Sequence, residues 1–101
     1  MAFVKLGKVS DIPEGSGKMY EIKDRWVAVF KVNNELKAVD DICSHAEAYL
    51  HDGELENYEI ECNAHGARFD IRTGKVCSGP AVTPIDTFPI RIAKGSFEVD
   101  I

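Results

Sequence analysis

Apolar and polar residues alternate along this chain in short blocks, which is the pattern of β-strands separated by turns. The run from Trp26 to Val32 is rich in β-branched and aromatic residues, and a second apolar run follows at Leu36–Val39. Asn33 and Asn34 lie between the two runs. Because asparagine tolerates a positive φ, these two residues predict the turn of a β-hairpin.

Three other parts of the sequence show the same organisation. Met19–Ile22 predicts one more strand, and Arg72–Lys75 has the composition of a tight turn. Near the end of the sequence, the strand-like segments Phe88–Ile92 and Phe97–Ile101 flank Lys94–Ser96. Apolar and acidic residues alternate in the last segment, which predicts a closing hairpin with one buried and one solvated face.

No stretch has the apolar spacing of a long helix, although Ala46–Leu50 has room for a single helical turn. We therefore predict an all-β fold of antiparallel strands, a small sandwich or partly open barrel, with residues 1–101 forming one domain. Residues from about 41 to 81 are rich in Cys, His, Gly and Pro and predict an inserted subdomain that carries the functional site. Residues 1–40 and 82–101 are expected to form the β platform beneath it.

The chain carries 17 acidic and 12 basic side chains, which gives a net charge of −5. This excess disfavours nucleic acid and anionic lipid as partners, because phosphate binding requires clustered Lys and Arg. It suits a partner with a positive surface, and it would equally serve to keep the protein in solution. The first residues show no leader-like pattern, and the three cysteines lack the spacing of a disulfide framework, so we expect a cytoplasmic protein.

Two short clusters carry the chemistry of the sequence. Residues 43–45 (C-S-H) and residues 62–66 (C-N-A-H-G) each supply one thiolate and one imidazole. Together they provide the two sulfur and two nitrogen ligands that a 2Fe–2S cluster of the Rieske kind requires. The predicted ligands are Cys43 and Cys62 on one iron and His45 and His65 on the other.

Two other interpretations of these residues stay open at this point. Zinc also accepts two Cys and two His, but zinc sites usually use C-x2-4-C and H-x3-5-H pairs, which a C-x-H segment does not match. Alternatively, the residues are unrelated core thiols and surface imidazoles, although two Cys–His pairs in the same order within one turn-rich insert argue against coincidence. A zinc site predicts a colourless protein, whereas an iron–sulfur cluster predicts a red-brown one.

On these two motifs the chain resembles the Rieske 2Fe–2S proteins, and most of all the small Rieske-type ferredoxins of bacterial ring-hydroxylating dioxygenase systems. The segments Phe69–Val76 and Ser78–Ala81 match weaker segments of the same family. The resemblance covers nearly the whole chain and implies the antiparallel Rieske (ISP-like) fold, in which three sheets support a cluster-binding subdomain. It also implies one 2Fe–2S cluster, held by the four ligands named above beneath a loop that contains Pro80.

The same resemblance implies that the protein is an electron carrier and not an enzyme. It would take single electrons from an NAD(P)H-dependent flavoprotein reductase and deliver them to a terminal oxygenase. The implied docking surface is the tip that carries His45, His65 and Pro80. An alternative is a small or accessory subunit of a larger redox enzyme such as nitrite reductase.

Four positions depart from the high-potential Rieske proteins of respiratory complexes. Where those proteins carry a disulfide between the ligand loops, this chain has Ala48 and Ala64. Where they carry a Ser and a Tyr whose hydroxyls hydrogen-bond the cluster, this chain has Ala67 and Phe69. Because such hydrogen bonds stabilise the reduced, more negative cluster, their absence predicts a midpoint potential near the lower end of the Rieske range of about −150 to +300 mV.

Three further residues have simpler explanations. Cys77 precedes the loop that contains Pro80 and is interpreted as a small buried hydrophobic residue rather than a ligand. His51 lies between the two ligand motifs and is interpreted as a surface turn residue. Trp26 is expected in the core, together with the Phe residues.

Overall fold

The computed structural model describes residues 2–42, 48–63, 66–79 and 83–101. Within these ranges the strands form three antiparallel sheets and no α-helix is present, which confirms the predicted all-β fold. The strands are β1 (Phe3–Lys8), β2 (Gly17–Ile22), β3 (Arg25–Val32), β4 (Glu35–Asp40), β5 (Glu54–Glu56), β6 (Glu59–Glu61), β7 (Arg68–Asp70), β8 (Val76–Ser78), β9 (Thr87–Phe88), β10 (Ile90–Ala93) and β11 (Ser96–Asp100). Two 3-10 turns accompany them, at Val9–Asp11 and Leu50–Asp52. A membrane-spanning helix is likewise absent from this described part of the chain.

The first sheet has the strand order β1-β11-β10 and pairs strands from the two ends of the chain. Phe97 and Val99 of β11 are fully buried, whereas Glu98 between them keeps part of its surface in solvent. The predicted alternation is therefore confirmed. Lys94 and Gly95, both with a positive φ, form the turn between β10 and β11.

The second sheet has the order β2-β3-β4-β9. Asn33 and Asn34 form the predicted turn between β3 and β4, with φ angles of 52° and 63°. A second two-residue turn, which was not predicted, joins β2 to β3 through Lys23 and Asp24, with φ angles of 48° and 65°. Both turns have the positive φ at two successive positions that suits the twist of a hairpin.

The third sheet has the order β5-β6-β7-β8 and is formed entirely within residues 54–78. The predicted turn at Arg72–Lys75 is confirmed, since it joins β7 to β8. The Gly74 N–H closes it by donating to the Asp70 carbonyl at 2.7 Å. The turn between β5 and β6, in which Asn57 has a φ of 53°, was not predicted.

Two apolar cores lie on opposite faces of the second sheet. Val27 and Val29 of β3 are buried with residues of the first sheet in one core, which we call the platform core. Ala28 and Phe30 are buried with residues of the third sheet in the other, which we call the site core. Burial on both faces explains why β3 is a continuous apolar run instead of an alternating one. The site core also contains Val32, Val39, Leu50, Ile60, Cys62, Ala67, Phe69, Ile71 and Ile85.

Trp26 lies at the edge of the site core and not inside it. Its ring is only half-buried and stacks on Tyr49, with 5.2 Å between ring centroids and 16° between ring planes. The expectation of a core position is wrong: Trp26 lies near the start of β3, where its ring stacks on the exposed Tyr49 and joins neither core. Phe30, Phe69 and Phe97 do occupy the two cores, and the half-buried Phe88 packs against the platform core. Phe3 is half-buried and belongs to neither core, so for this residue the expectation is wrong.

Candidate metal centre

The register of the third sheet brings four strand ends together in one row. Glu54 pairs with Glu61, Glu61 with Arg68, and Arg68 with Ser78. Because neighbouring strands are antiparallel, the chain enters β5 and β7 and leaves β6 and β8 at this row. We call this row the loop end of the third sheet. The residues that directly precede β5 and β7 and directly follow β6 and β8 are therefore close together.

The second predicted ligand segment leaves the loop end as a tight turn. Cys62 follows β6 directly, and its N–H donates to the Ala67 carbonyl at 2.7 Å. The Gly66 N–H donates back to the Cys62 carbonyl at 3.0 Å. Cys62 is 1% exposed and belongs to the site core. His65, the second predicted ligand of this segment, lies outside the described residues.

The first predicted ligand segment lies between two paired stems. Ile42 forms an antiparallel bridge with Tyr49, and the Leu50 N–H donates to the Asp41 carbonyl at 2.6 Å. These contacts bring together the residues that precede and follow residues 43–47. The predicted ligands Cys43 and His45 fall within that range and lie outside the described residues.

The 3-10 turn Leu50–Asp52, which we call the bridging turn, connects the two ligand segments. Leu50 is fully buried in the site core, which also contains Cys62. The side-chain amide of Asn63 donates to the Asp52 carbonyl at 2.8 Å. The base of the first ligand segment therefore lies directly against the second, as one shared cluster requires.

The donor set and the described geometry fit a 2Fe–2S cluster. Cys62 supplies a buried thiol at the loop end, and burial protects an iron–sulfur site from water. Among the described residues no group of three or more Cys, His, Asp or Glu side chains is gathered as a metal site. This is expected, because Cys62 is the one predicted ligand of the four that lies within the described residues.

Cys77 is exposed, so its interpretation as a buried residue is wrong. The pairing of Arg68 with Ser78 and of Phe69 with Val76 leaves Cys77 as the extra residue of a β-bulge in β8. A bulge breaks the regular alternation of side chains between the faces of a sheet. The half-buried Val76 packs against the site core, while the thiol beside it faces solvent.

Asp41 is a buried polar residue that the sequence did not reveal. Its side chain is 0% exposed, and its carboxylate accepts hydrogen bonds from the backbone N–H of His51 at 2.8 Å and from His51 Nδ1 at 2.7 Å. His51 lies in a turn as predicted, but it is partly buried and not a plain surface residue. No sequence signal separates Asp41 from Asp40, whose carboxylate pairs with Arg25 near the surface.

Gly53 joins the bridging turn to β5 in a space that no side chain fits. A Cβ at this position would overlap the backbone carbonyl of Glu61 and lie 3.2 Å from that of Leu50. Gly79, which follows β8 near the same end of the sheet, is the matched control, since a Cβ there meets nothing within 4 Å.

We expect Gly53→Ala to lower the free energy of unfolding by about 1–3 kcal/mol, because the added methyl group forces the bridging turn away from β6. Gly79→Ala should change it by less than about 0.5 kcal/mol. Urea unfolding of both variants measures the difference. Equal stability of the two variants would contradict the close packing at Gly53.

Comparison with known proteins supports these observations. The sequence pattern of one family, described as the Rieske [2Fe-2S] domain, matches residues 2–89. The ferredoxin component of the p-cumate 2,3-dioxygenase system of Pseudomonas putida is 47% identical over 100 residues, which are 97% of this chain and 85% of that protein.

Two solved structures are informative. A chain from a complex of reduced oxygenase and oxidized ferredoxin in carbazole 1,9a-dioxygenase has a TM-score of 0.90 at 30% identity, covering 96% of this chain and 91% of that chain. A protein described as an NADH-dependent nitrite reductase small subunit from Mycobacterium tuberculosis has a TM-score of 0.86 at 17% identity, covering 97% and 93% of the two chains. The second similarity shows a shared fold and nothing more.

Proposed function

Because the chain belongs to the Rieske [2Fe-2S] domain family, we propose that it is a one-electron carrier that supplies a terminal oxygenase. The proposed cluster ligands are Cys43, Cys62, His45 and His65. The observation that carries the proposal is that the bridging turn, next to the stem of the first ligand segment, packs against Cys62 and Asn63 of the second. When bound, a cluster of this kind accepts and releases one electron at a time.

The same proposal assigns separate roles to two parts of the chain. Residues from about 41 to 81 act as the cluster-binding subdomain, and residues 1–40 and 82–101 act as the platform. The separation of the site core from the platform core by β3 supports this division. The sequence contains no Ser–His–Asp motif and no paired carboxylates typical of a catalytic site. This suits a carrier that transfers electrons without making or breaking covalent bonds.

The proposed partners are a flavoprotein reductase that oxidises NAD(P)H and the terminal oxygenase. The relatives support the oxygenase most directly, since one is named as a ferredoxin component of a dioxygenase system and another was solved with an oxygenase. We propose that both partners dock in turn at the tip with His45, His65 and Pro80, in a brief contact of less than about 1,200 Å². The cysteine content suits a cytoplasmic location for this exchange.

One face of the third sheet is strongly acidic, from the loop end to the turn between β5 and β6. Glu54 lies opposite Glu61, and Glu56 lies opposite Glu59. Arg68 is placed among them, 3.3 Å from Glu61, 3.9 Å from Glu59 and 4.0 Å from Glu56. Four carboxylates and one guanidinium, which pairs with three of them, leave this face negative, and such a face steers a partner with a positive surface toward the loop end.

Stopped-flow mixing of the reduced protein with the oxidised oxygenase component of the p-cumate 2,3-dioxygenase system tests the proposed function. We expect reoxidation at a second-order rate that falls as ionic strength rises. Glu54→Gln should flatten this salt dependence, because it removes a charge beside the tip. Glu35→Gln is the control, since Glu35 is also exposed but stands at the far end of the β3–β4 hairpin.

If the oxygenase does not reoxidise the reduced protein, the proposal is contradicted. A nitrite reductase subunit is the competing assignment, and it predicts a lasting complex instead of a brief one. Size-exclusion chromatography of the isolated, cluster-loaded chain separates the two, because a carrier remains stable as a free protein.

A further inference from the structure

The bridging turn contacts the rest of the site through each of its three residues. Leu50 is buried in the core that holds Cys62, and the Asp52 carbonyl accepts the Asn63 side-chain amide at 2.8 Å. These two contacts fix the turn to the second ligand segment. His51, between them, makes its contacts with the stem of the first ligand segment instead.

Asp41 receives the contacts of His51 in a fully buried position. Its backbone N–H donates to the Trp26 carbonyl at 2.8 Å, and its carbonyl accepts the Leu50 N–H at 2.6 Å. Its two carboxylate oxygens accept from the backbone N–H of His51 at 2.8 Å and from Nδ1 of the same residue at 2.7 Å. All polar groups of Asp41 are therefore engaged, and the residue joins β3, its own stem and the bridging turn.

A carboxylate without exposure is costly unless it is fully bonded. In the part of the chain that the structure describes, Asp41 forms no ion pair with Lys or Arg, and the side chain that contacts its carboxylate is that of His51. Because an ionised carboxylate only accepts hydrogen bonds, Nδ1 carries the proton in this contact. The other ring nitrogen, Nε2, lies 3.3 Å from the exposed carboxylate of Asp52. Solvent screens this second contact, so the buried contact with Asp41 is the one that fixes the imidazole.

We propose that Asp41 and His51 are positioning residues for the cluster. They hold the bridging turn against the stem of the first ligand segment and so set the spacing between the two ligand segments. This inference rests on the proposed ligand set, in which Cys43 follows Asp41 by two residues. Their Cα atoms are at most about 7 Å apart, so a displacement of the Asp41 stem is passed to Cys43.

Paired variants separate the hydrogen bond from the volume of the side chains. His51→Asn keeps an amide N–H near the place of Nδ1–H, whereas His51→Leu keeps the bulk and loses the donor. Asp41→Ala removes the buried acceptor. Asp52→Ala is its matched control, because the Asp52 side chain is 59% exposed and contacts the other ring nitrogen.

The rate of cluster loss is the first measurement, followed by visible absorbance of the cluster-loaded protein with an iron chelator. We expect His51→Leu and Asp41→Ala to lose the cluster about tenfold faster than the wild type, or more. The double variant should be no faster than Asp41→Ala alone, because His51→Leu removes a contact that Asp41→Ala already removes. His51→Asn and Asp52→Ala should stay within about twofold of the wild type.

The EPR spectrum of the reduced protein distinguishes positioning from simple stabilisation. A loosened ligand segment gives a range of ligand geometries, so the lines of His51→Leu and Asp41→Ala should broaden while those of the two controls do not. A purely structural role would lower the unfolding midpoint of the cluster-free protein and leave these line widths unchanged.

Unchanged cluster-loss rates and line widths in His51→Leu would overturn the inference, and so would equal behaviour of His51→Leu and His51→Asn. Failure of the wild-type protein to bind iron and sulfide would reject the proposed function, and the positioning role with it. An intact wild-type cluster with unaffected variants would reject the positioning role alone.

Discussion

Cys62→Ala is expected to abolish iron and sulfide binding, while Cys77→Ala leaves both at wild-type levels. Cys62 is 1% exposed at the loop end and is the proposed thiolate ligand of the second segment. Removing it deletes one of two sulfur ligands from one iron, and the remaining three ligands cannot hold both metal ions. The visible colour should disappear with the iron.

Cys77 provides the matched control, because the substitution removes the same sulfur atom from a residue near the same end of the third sheet. Its thiol projects from the bulge in β8 and is exposed. Partial desolvation, with further contributions from Glu59 and Asp70, raises the pKa of the Cys77 thiol. A thiol that holds its proton more tightly is a poorer metal ligand near neutral pH.

Iron and acid-labile sulfide analysis of both purified variants, with visible spectra, decides the matter. A coloured Cys62→Ala protein or a colourless Cys77→Ala protein would show that Cys77 is a ligand. Circular dichroism of the strands confirms that each variant has folded.

The second large effect concerns the midpoint potential. We expect the wild-type protein to lie near the lower end of the Rieske range of about −150 to +300 mV. Ala67 and Phe69 replace the two hydroxyl donors of the high-potential class, and both are fully buried in the site core with Cys62. The backbone carbonyl of Ala67 also accepts the Cys62 N–H at 2.7 Å, so a side chain at position 67 stands next to the proposed ligand.

Ala67→Ser should therefore raise the midpoint potential. One hydrogen bond contributes about 0.5–1.5 kcal/mol, which corresponds to a shift of about 20–60 mV for a single electron. Ala28→Ser is the control, since Ala28 is equally buried in the site core but belongs to β3. Redox titration followed by visible circular dichroism measures all three proteins.

A wild-type midpoint above about +100 mV would place the protein outside the low-potential class. An equal shift in Ala28→Ser and Ala67→Ser would show that general polarity of the core, and not a hydrogen bond beside Cys62, sets the potential.

The sequence predicted the turns and strands whose conformation is determined by their own residues. Asn33 and Asn34 accept the positive φ that their turn requires, and the strict alternation at Phe97 and Val99 is fixed by one buried face. The turn at Lys23 and Asp24 was missed because lysine has no preference for a positive φ. There the pairing of β2 with β3 imposes the conformation on the chain.

The parts of the site that the sequence could not predict depend on tertiary contacts. The motifs predict the ligands by their chemistry, and of these Cys62 is buried in the site core. The burial of Asp41 and the exposure of Cys77 were hidden, because both follow from the way the third sheet packs and bulges. The bridging turn is set by Leu50 and by the Asn63 amide, neither of which has a turn signal of its own.

Nitrogen ligation of the cluster is the central claim, and ENDOR spectroscopy of the reduced protein measures it directly. Protein grown with ¹⁵N-labelled histidine is predicted to show two strongly coupled histidine nitrogens, one from His45 and one from His65. His45→Cys or His65→Cys should leave a single coupled nitrogen wherever the cluster is retained. A spectrum without histidine coupling, or a protein that binds zinc and no iron, would contradict the claim.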